Sequence, residues 1–136
     1  MKYLLEKPIR GSIGKEKYKT SITWRNGELI TDEPEKLGGQ DVGPDPYTLL
    51  LSSIITCTLV TLRMYIDHKG YDIPEIEIEA NMYHKIENEA MKTYVEKRIQ
   101  FGKELDEEIK ERLLRVAAKC PISKLLKQEI VVNTIR

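Results

Sequence analysis

The sequence has no surplus of either charge: 22 Lys and Arg stand against 22 Asp and Glu in 136 residues. Binding a phosphate backbone needs a positive excess, and no long basic run supplies one, so nucleic acid is not an expected partner. Cysteine is scarce, at two residues, and so is histidine. These four groups lack the paired spacing of zinc ligands, and no metal is expected. The Gly-x-Gly-x-x-Gly, P-loop and Gly-x-Ser-x-Gly patterns are missing, which removes common nucleotide and hydrolase chemistries. Residues 1–10 carry Lys2, Glu6, Lys7 and Arg10 with no apolar core or small-residue cleavage site after them. A cytoplasmic, reducing setting is therefore expected, where a disulfide is transient and catalytic. The longest uncharged stretch, residues 46–62, is short for a membrane span, holds four Thr, two Ser and a Tyr, and runs into Arg63. It reads as a buried helix, with no membrane expected as a partner.

What remains is an α+β pattern in one expected domain, residues 1–136. Residues 18–24 and 28–31 read as strands around Asn26-Gly27, the dipeptide of a type I′ hairpin, with Arg25 beside the turn. A loop with Gly38, Gly39, Gly43, Pro44 and Pro46 follows, long enough to be functional. Asp45-Pro46 is an N-cap and first-turn proline, and Gly70 a C-terminal stop, which predicts a helix from residue 46 to about 69. Leu49, Leu50, Leu51, Ile54, Ile55, Leu59, Val60 and Leu62 make it apolar nearly all round, so burial on nearly all sides is expected. Ile76, Ile78, Ala80 and Met82 alternate with polar residues, as do Val95, Ile99 and Phe101, predicting a long antiparallel hairpin turning near residues 87–89. Residues 106–118 read as an amphipathic helix, 123–127 as a short helix and 130–135 as a last strand.

Cys57 lies in the middle of the apolar helix, with Ser53 and Thr61 four residues to either side on the same face. That polar stripe suits either a thiol-lined pocket or hydroxyls that bond back to helix carbonyls. Cys120 precedes Pro121 where a helical turn begins, and exposed N–H groups there favour thiolate. Local electrostatics thus point to Cys120 as the reactive thiol. A peroxide-attacking thiolate needs a neighbouring cation. Arg25 is one candidate; Arg63, six residues along the helix, points away from Cys57; the pattern does not choose among the many lysines.

The run Gly43-Pro44-Asp45-Pro46-Tyr47-Thr48-Leu49-Leu50-Leu51, then Cys57-Thr58, Thr61 through Tyr65 and Lys69-Gly70, resembles the OsmC/Ohr family, as does Cys120-Pro121-Ile122-Ser123. The resemblance implies an OsmC-like fold, with antiparallel sheets packed around a central buried helix in an intertwined homodimer. It implies a peroxidase that reduces organic hydroperoxides with no metal or organic cofactor. In it Cys57 attacks peroxide, Cys120 resolves the sulfenic acid to a disulfide, and Arg25 holds the thiolate. This reverses the preference drawn from the helix terminus. Tyr47, Leu50 and Ser53 are the expected substrate-binding residues, and a lipoyl-type dithiol is the expected reductant. One departure stands out. A glutamate that follows the proline in family members is replaced by Tyr47 and Thr48, which leaves either a looser arginine clamp or one held by the Tyr47 hydroxyl. The rival readings are a non-enzymatic peroxide-responsive protein and a small-ligand binding module on the same scaffold.

Overall fold

A computed structural model describes residues 2–136. The chain divides into two compact units, one ending at Leu50 and one from Leu51 to Arg136.

The N-terminal unit holds an antiparallel sheet of β1 (Arg10–Ile13), β2 (Thr20–Trp24) and β3 (Gly27–Thr31), in that order. Trp24 faces Gly27 in the register, so the two-residue loop is Arg25-Asn26 and not Asn26-Gly27. None of these three residues has a positive φ, which rules out the expected type I′ turn. Glycine serves packing here instead: a Cβ on Gly27 would collide with the Trp24 indole. After β3 the buried carboxylate of Asp32 gathers the Gly/Pro loop. It accepts N–H bonds from Glu33 (2.8 Å), Tyr18 (3.1 Å), Gln40 (3.2 Å) and Val42 (3.3 Å). Burial opposes its ionisation, but the N–H groups of Glu33, Tyr18, Val42 and Gln40 outweigh that and hold it below the usual carboxylate range. The Asp45 side chain accepts the Thr48 N–H at 2.9 Å, the expected N-cap.

Helix α1 runs Pro46–Lys69, and Gly70 ends it at φ 73°. The Tyr71 N–H returns to the Ile66 carbonyl at 3.1 Å, a glycine-stopped helix end. Strands β4 (Ile76–Glu87) and β5 (Ala90–Phe101) form the long hairpin the alternation predicts, in unbroken register from Ile76–Phe101 to Glu87–Ala90. Its turn residues Asn88 and Glu89 both have positive φ, so the primed-type turn sits here and not in the first hairpin. Helix α2 (Glu107–Ala117) and the short α3 (Pro121–Leu126) follow.

The core of the C-terminal unit joins Leu62 and Ile66 of α1, Ile73, and Leu113 and Ala117 of α2, with Ile76, Ile99 and Phe101 packed against them. Burying such side chains contributes about 1.5–3 kcal/mol each. Only one stripe of α1 is buried, namely Ile54, Thr58, Leu62 and Ile66, each four residues from the last. Burial nearly all round is therefore not seen: Val60 and Met64 are 46% and 68% exposed. The one hairpin and α2 that supply this core cover a single face of a 24-residue helix. Residues 130–135 form no strand. A strand exists only by pairing, and among the described residues nothing pairs with this segment, where Val132 is 87% exposed.

Candidate active site

The sequence brings two thiols together in the C-terminal unit by two local choices. The α1 stripe turns Thr58 inward, which leaves the adjacent Cys57 on the flank of that face and half-buried. Pro121 takes the first position of α3, so Cys120 becomes its N-cap. There the Cys120 sulfur accepts the Ser123 N–H at 3.3 Å, and the Cys57 sulfur accepts the neighbouring Ile122 N–H at 3.5 Å. Successive N–H groups of one short turn thus hold both sulfurs.

Cys120 is 0% exposed. Besides the Ser123 N–H, it has the Ser123 hydroxyl at 2.9 Å and the Thr58 hydroxyl at 3.4 Å. Burial pushes the thiol up, but the Ser123 and Thr58 hydroxyls, the Ser123 N–H and Cys57 outweigh it and bring it down to about 7, against an ordinary 9.0. The thiolate character read from the helix terminus is therefore present at Cys120. Solvent access is not; of the two thiols only Cys57 is partly exposed.

The cation beside the thiols is Lys97, from β5. Its ammonium donates to Thr58 Oγ1 (2.9 Å), the Ala117 carbonyl (3.2 Å) and Ser123 Oγ (3.3 Å). Sequence reasoning missed it, although a signal existed. Val95, Lys97, Ile99 and Phe101 share one face of the strand, and a half-buried lysine interrupts that apolar row. Thr58 and Ser123 were likewise unremarked as partners of a thiol.

The expected residues fall as follows. Arg25 lies exposed in the β2–β3 loop of the N-terminal unit. Tyr47 and Leu50 lie exposed in the first turns of α1, and Ser53 is exposed farther along it. The Thr61 hydroxyl bonds the Cys57 carbonyl at 2.8 Å, the ordinary helix back-bond. Arg63 donates to the carbonyls of Ile73 (2.9 Å) and Pro74 (3.3 Å) and pairs with Asp67, so it braces the approach to β4. Among the described residues no group of three His, Cys, Asp or Glu could hold a metal ion.

Two sulfurs held by successive N–H groups of one turn, one buried with thiolate character and one partly exposed, form a dithiol arrangement suited to reversible oxidation. A family profile described as OsmC-like protein matches residues 38–135, well over half of the chain, and the chain belongs to that family. Solved structures share the fold of two antiparallel sheets and a central helix. One is a Psychrobacter arcticus 273-4 protein with a provisional osmotic-stress and detoxification name: 22% identity, TM-score 0.75, covering 92% of this chain and 91% of that one. Another is an organic hydroperoxide resistance protein of Elizabethkingia anophelis: 21% identity, TM-score 0.68, covering 92% and 91%. A third is the organic hydroperoxide resistance protein OhrB of Bacillus subtilis: 20% identity, TM-score 0.63, covering 88% and 90%. No curated protein sequence matches the chain.

Proposed function

We propose that this chain is a cytoplasmic thiol peroxidase that reduces organic hydroperoxides to alcohols through a Cys57/Cys120 dithiol–disulfide cycle. The observation that carries the reading is the convergence of both sulfurs on one turn, Cys57 on the Ile122 N–H and Cys120 on the Ser123 N–H. The solvent access of Cys57 and the complete burial of Cys120 support the division of labour.

Cys57 thiolate attacks the distal oxygen of the hydroperoxide. A sulfur–oxygen bond forms, the O–O bond breaks, and the alkoxide takes a proton and leaves as the alcohol. Cys120 thiolate then displaces hydroxide from the Cys57 sulfenic acid. The disulfide forms, and the hydroxide is protonated to water. A dithiol, of lipoyl type by family likeness, returns both cysteines to thiols by exchange and is itself oxidised. By family likeness alone, Arg25 is assigned as the cation for the Cys57 thiolate, and Tyr47, Leu50 and Ser53 as substrate-binding residues. The apolar surroundings of α1 favour an alkyl hydroperoxide over hydrogen peroxide.

The working form is a homodimer. Val60 and Met64 on α1, and Val131, Val132 and Ile135 after α3, are exposed apolar side chains that a second copy would cover.

Free thiols counted by mass before and after one equivalent of cumene hydroperoxide test the proposal. Loss of both thiols with a Cys57–Cys120 linkage is expected, followed by steady turnover when a dithiol is supplied. The replacement of the family glutamate by Tyr47 and Thr48 favours one rival, a protein that forms the disulfide once in a stress response without turning over. A stoichiometric burst with no steady state would select it.

A further inference from the structure

A lysine ammonium has three N–H donors and no acceptor. At Lys97 three acceptors meet it: Thr58 Oγ1, the Ala117 carbonyl and Ser123 Oγ. A hydroxyl that accepts from an ammonium must turn its own hydrogen elsewhere. For Ser123 the acceptor at hand is Cys120 Sγ, 2.9 Å away. For Thr58 there are two, the Ile54 carbonyl at 2.8 Å and Cys120 Sγ at 3.4 Å. Lysine therefore fixes the sense of both hydroxyls, with oxygen toward nitrogen: the Ser123 hydrogen is left to the sulfur, and the single Thr58 hydrogen is divided between the nearer Ile54 carbonyl and the sulfur. With the Ser123 N–H added, the sulfur is met by donors, an arrangement that stabilises its anion.

The position of the lysine needs an explanation of this kind. Lys97 is half-buried on the face of β5 that carries Val95, Ile99 and Phe101, opposite Ala80 in the register. A charge on an apolar face costs desolvation, which its three hydrogen bonds offset. The groups that surround Cys120 come from every element near it. Cys57 on α1 and Lys97 on β5 are the titratable ones, Thr58 and Ser123 are neutral hydroxyls, and α2 contributes the Ala117 carbonyl to the lysine.

We infer that Lys97 is a positioning residue for Cys120, acting through Thr58 and Ser123 to hold the second thiol as the thiolate that closes the disulfide. The inference rests on the two-cysteine reading and extends it to a residue that touches neither sulfur. In the step concerned, the Cys120 thiolate forms the S–S bond as the S–O bond of the Cys57 sulfenic acid breaks. The departing hydroxide takes its proton from solvent.

The test is an ultraviolet thiolate titration of the Cys57→Ser protein, in which Cys120 is the single thiol, with and without Lys97→Met. Lys97→Met is expected to raise the midpoint by about one unit, which is about tenfold less thiolate at a fixed pH below it. Lys97→Arg, which keeps the charge, is expected to restore most of the shift. In the two-cysteine protein, Lys97→Met is expected to prolong the sulfenic acid after one equivalent of peroxide, read as greater trapping by dimedone. An unmoved midpoint in Lys97→Met overturns the inference. Should that variant fail to fold, Ser123→Ala removes the shorter hydroxyl link, and an unmoved midpoint there overturns it equally. The titration requires no peroxide turnover, so its outcome is separate from that of the peroxidase reading.

Discussion

Thr58→Val isolates the polar contact at the middle of the buried stripe of α1. Valine keeps the shape of threonine and exchanges the hydroxyl for a methyl. Thr58 is 0% exposed, so nothing from solvent replaces the lost oxygen. The helix loses a back-bond to Ile54, whose carbonyl keeps its ordinary helical partner, and Cys120 Sγ loses a long contact at 3.4 Å. The Lys97 ammonium loses the shortest of its three acceptors, at 2.9 Å. A hydrogen bond to a charged group contributes about 1.5–3 kcal/mol, and the new buried methyl returns about 0.8 kcal/mol. The expected net loss is about 1–2 kcal/mol, or a fall in Tm of roughly 5 °C for a domain of this size. Urea denaturation of the reduced protein, at one fixed protomer concentration, measures it. The cost should depend on the lysine: in a Lys97→Met background the same change should be neutral or stabilising, giving a coupling of about 1–2 kcal/mol in the double-mutant cycle. Equal costs in both backgrounds, or a more stable Thr58→Val single variant, would refute the reasoning.

Further outcomes concern both units. Cys57→Ser should abolish turnover of an alkyl hydroperoxide, and full activity in that variant would sink the assigned order of the thiols. Cys120→Ser should still consume one peroxide per site but accumulate a dimedone-reactive sulfenic acid in place of the disulfide. Cys120 is brought down to about 7, and a thiol with a lowered value is protonated below it and anionic above it. Stopped-flow rates of disulfide closure should therefore rise with pH through about 7 and level off above; a rate flat from pH 5 to pH 9 would contradict this sign. Gly43→Ala would drive a Cβ into the Ile30 carbonyl oxygen, a backbone atom that cannot swing aside. It should cost about 1–3 kcal/mol in the same urea assay, and a neutral result would mean the loop relaxes freely.

How far the sequence foretold this structure follows from where each signal resides. The bounds of α1 were legible because Asp45, Pro46 and Gly70 act on their own backbone, and the β4–β5 hairpin because its alternation is strict. The first hairpin was legible, but its turn was displaced by one residue. Gly27 serves the Trp24 ring, a packing demand that resembles a turn signal in the sequence. The strand expected at 130–135 depends on a partner that no local residue can supply. At the site, Cys120 as a helix-capping thiol was readable from Cys120-Pro121 alone. Its partners Thr58 and Ser123, and the Lys97 that binds both of them, arrive from three elements, and only the break in the apolar row of β5 hinted at one of these residues.

The unequal exposure of the two sulfurs has a regiochemical consequence. In the proposed cycle, once the disulfide has formed, an incoming reductant thiolate can approach Cys57, which is partly exposed, but not Cys120, which is buried. The mixed disulfide must therefore form on α1, and the sulfur expelled is the one already surrounded by hydrogen-bond donors. Exchange favours a leaving thiol of low pKa, so the groups that stabilise Cys120 as an anion also direct its departure. Regeneration would then be regioselective, with burial barring one sulfur from attack and the same network stabilising it as it leaves.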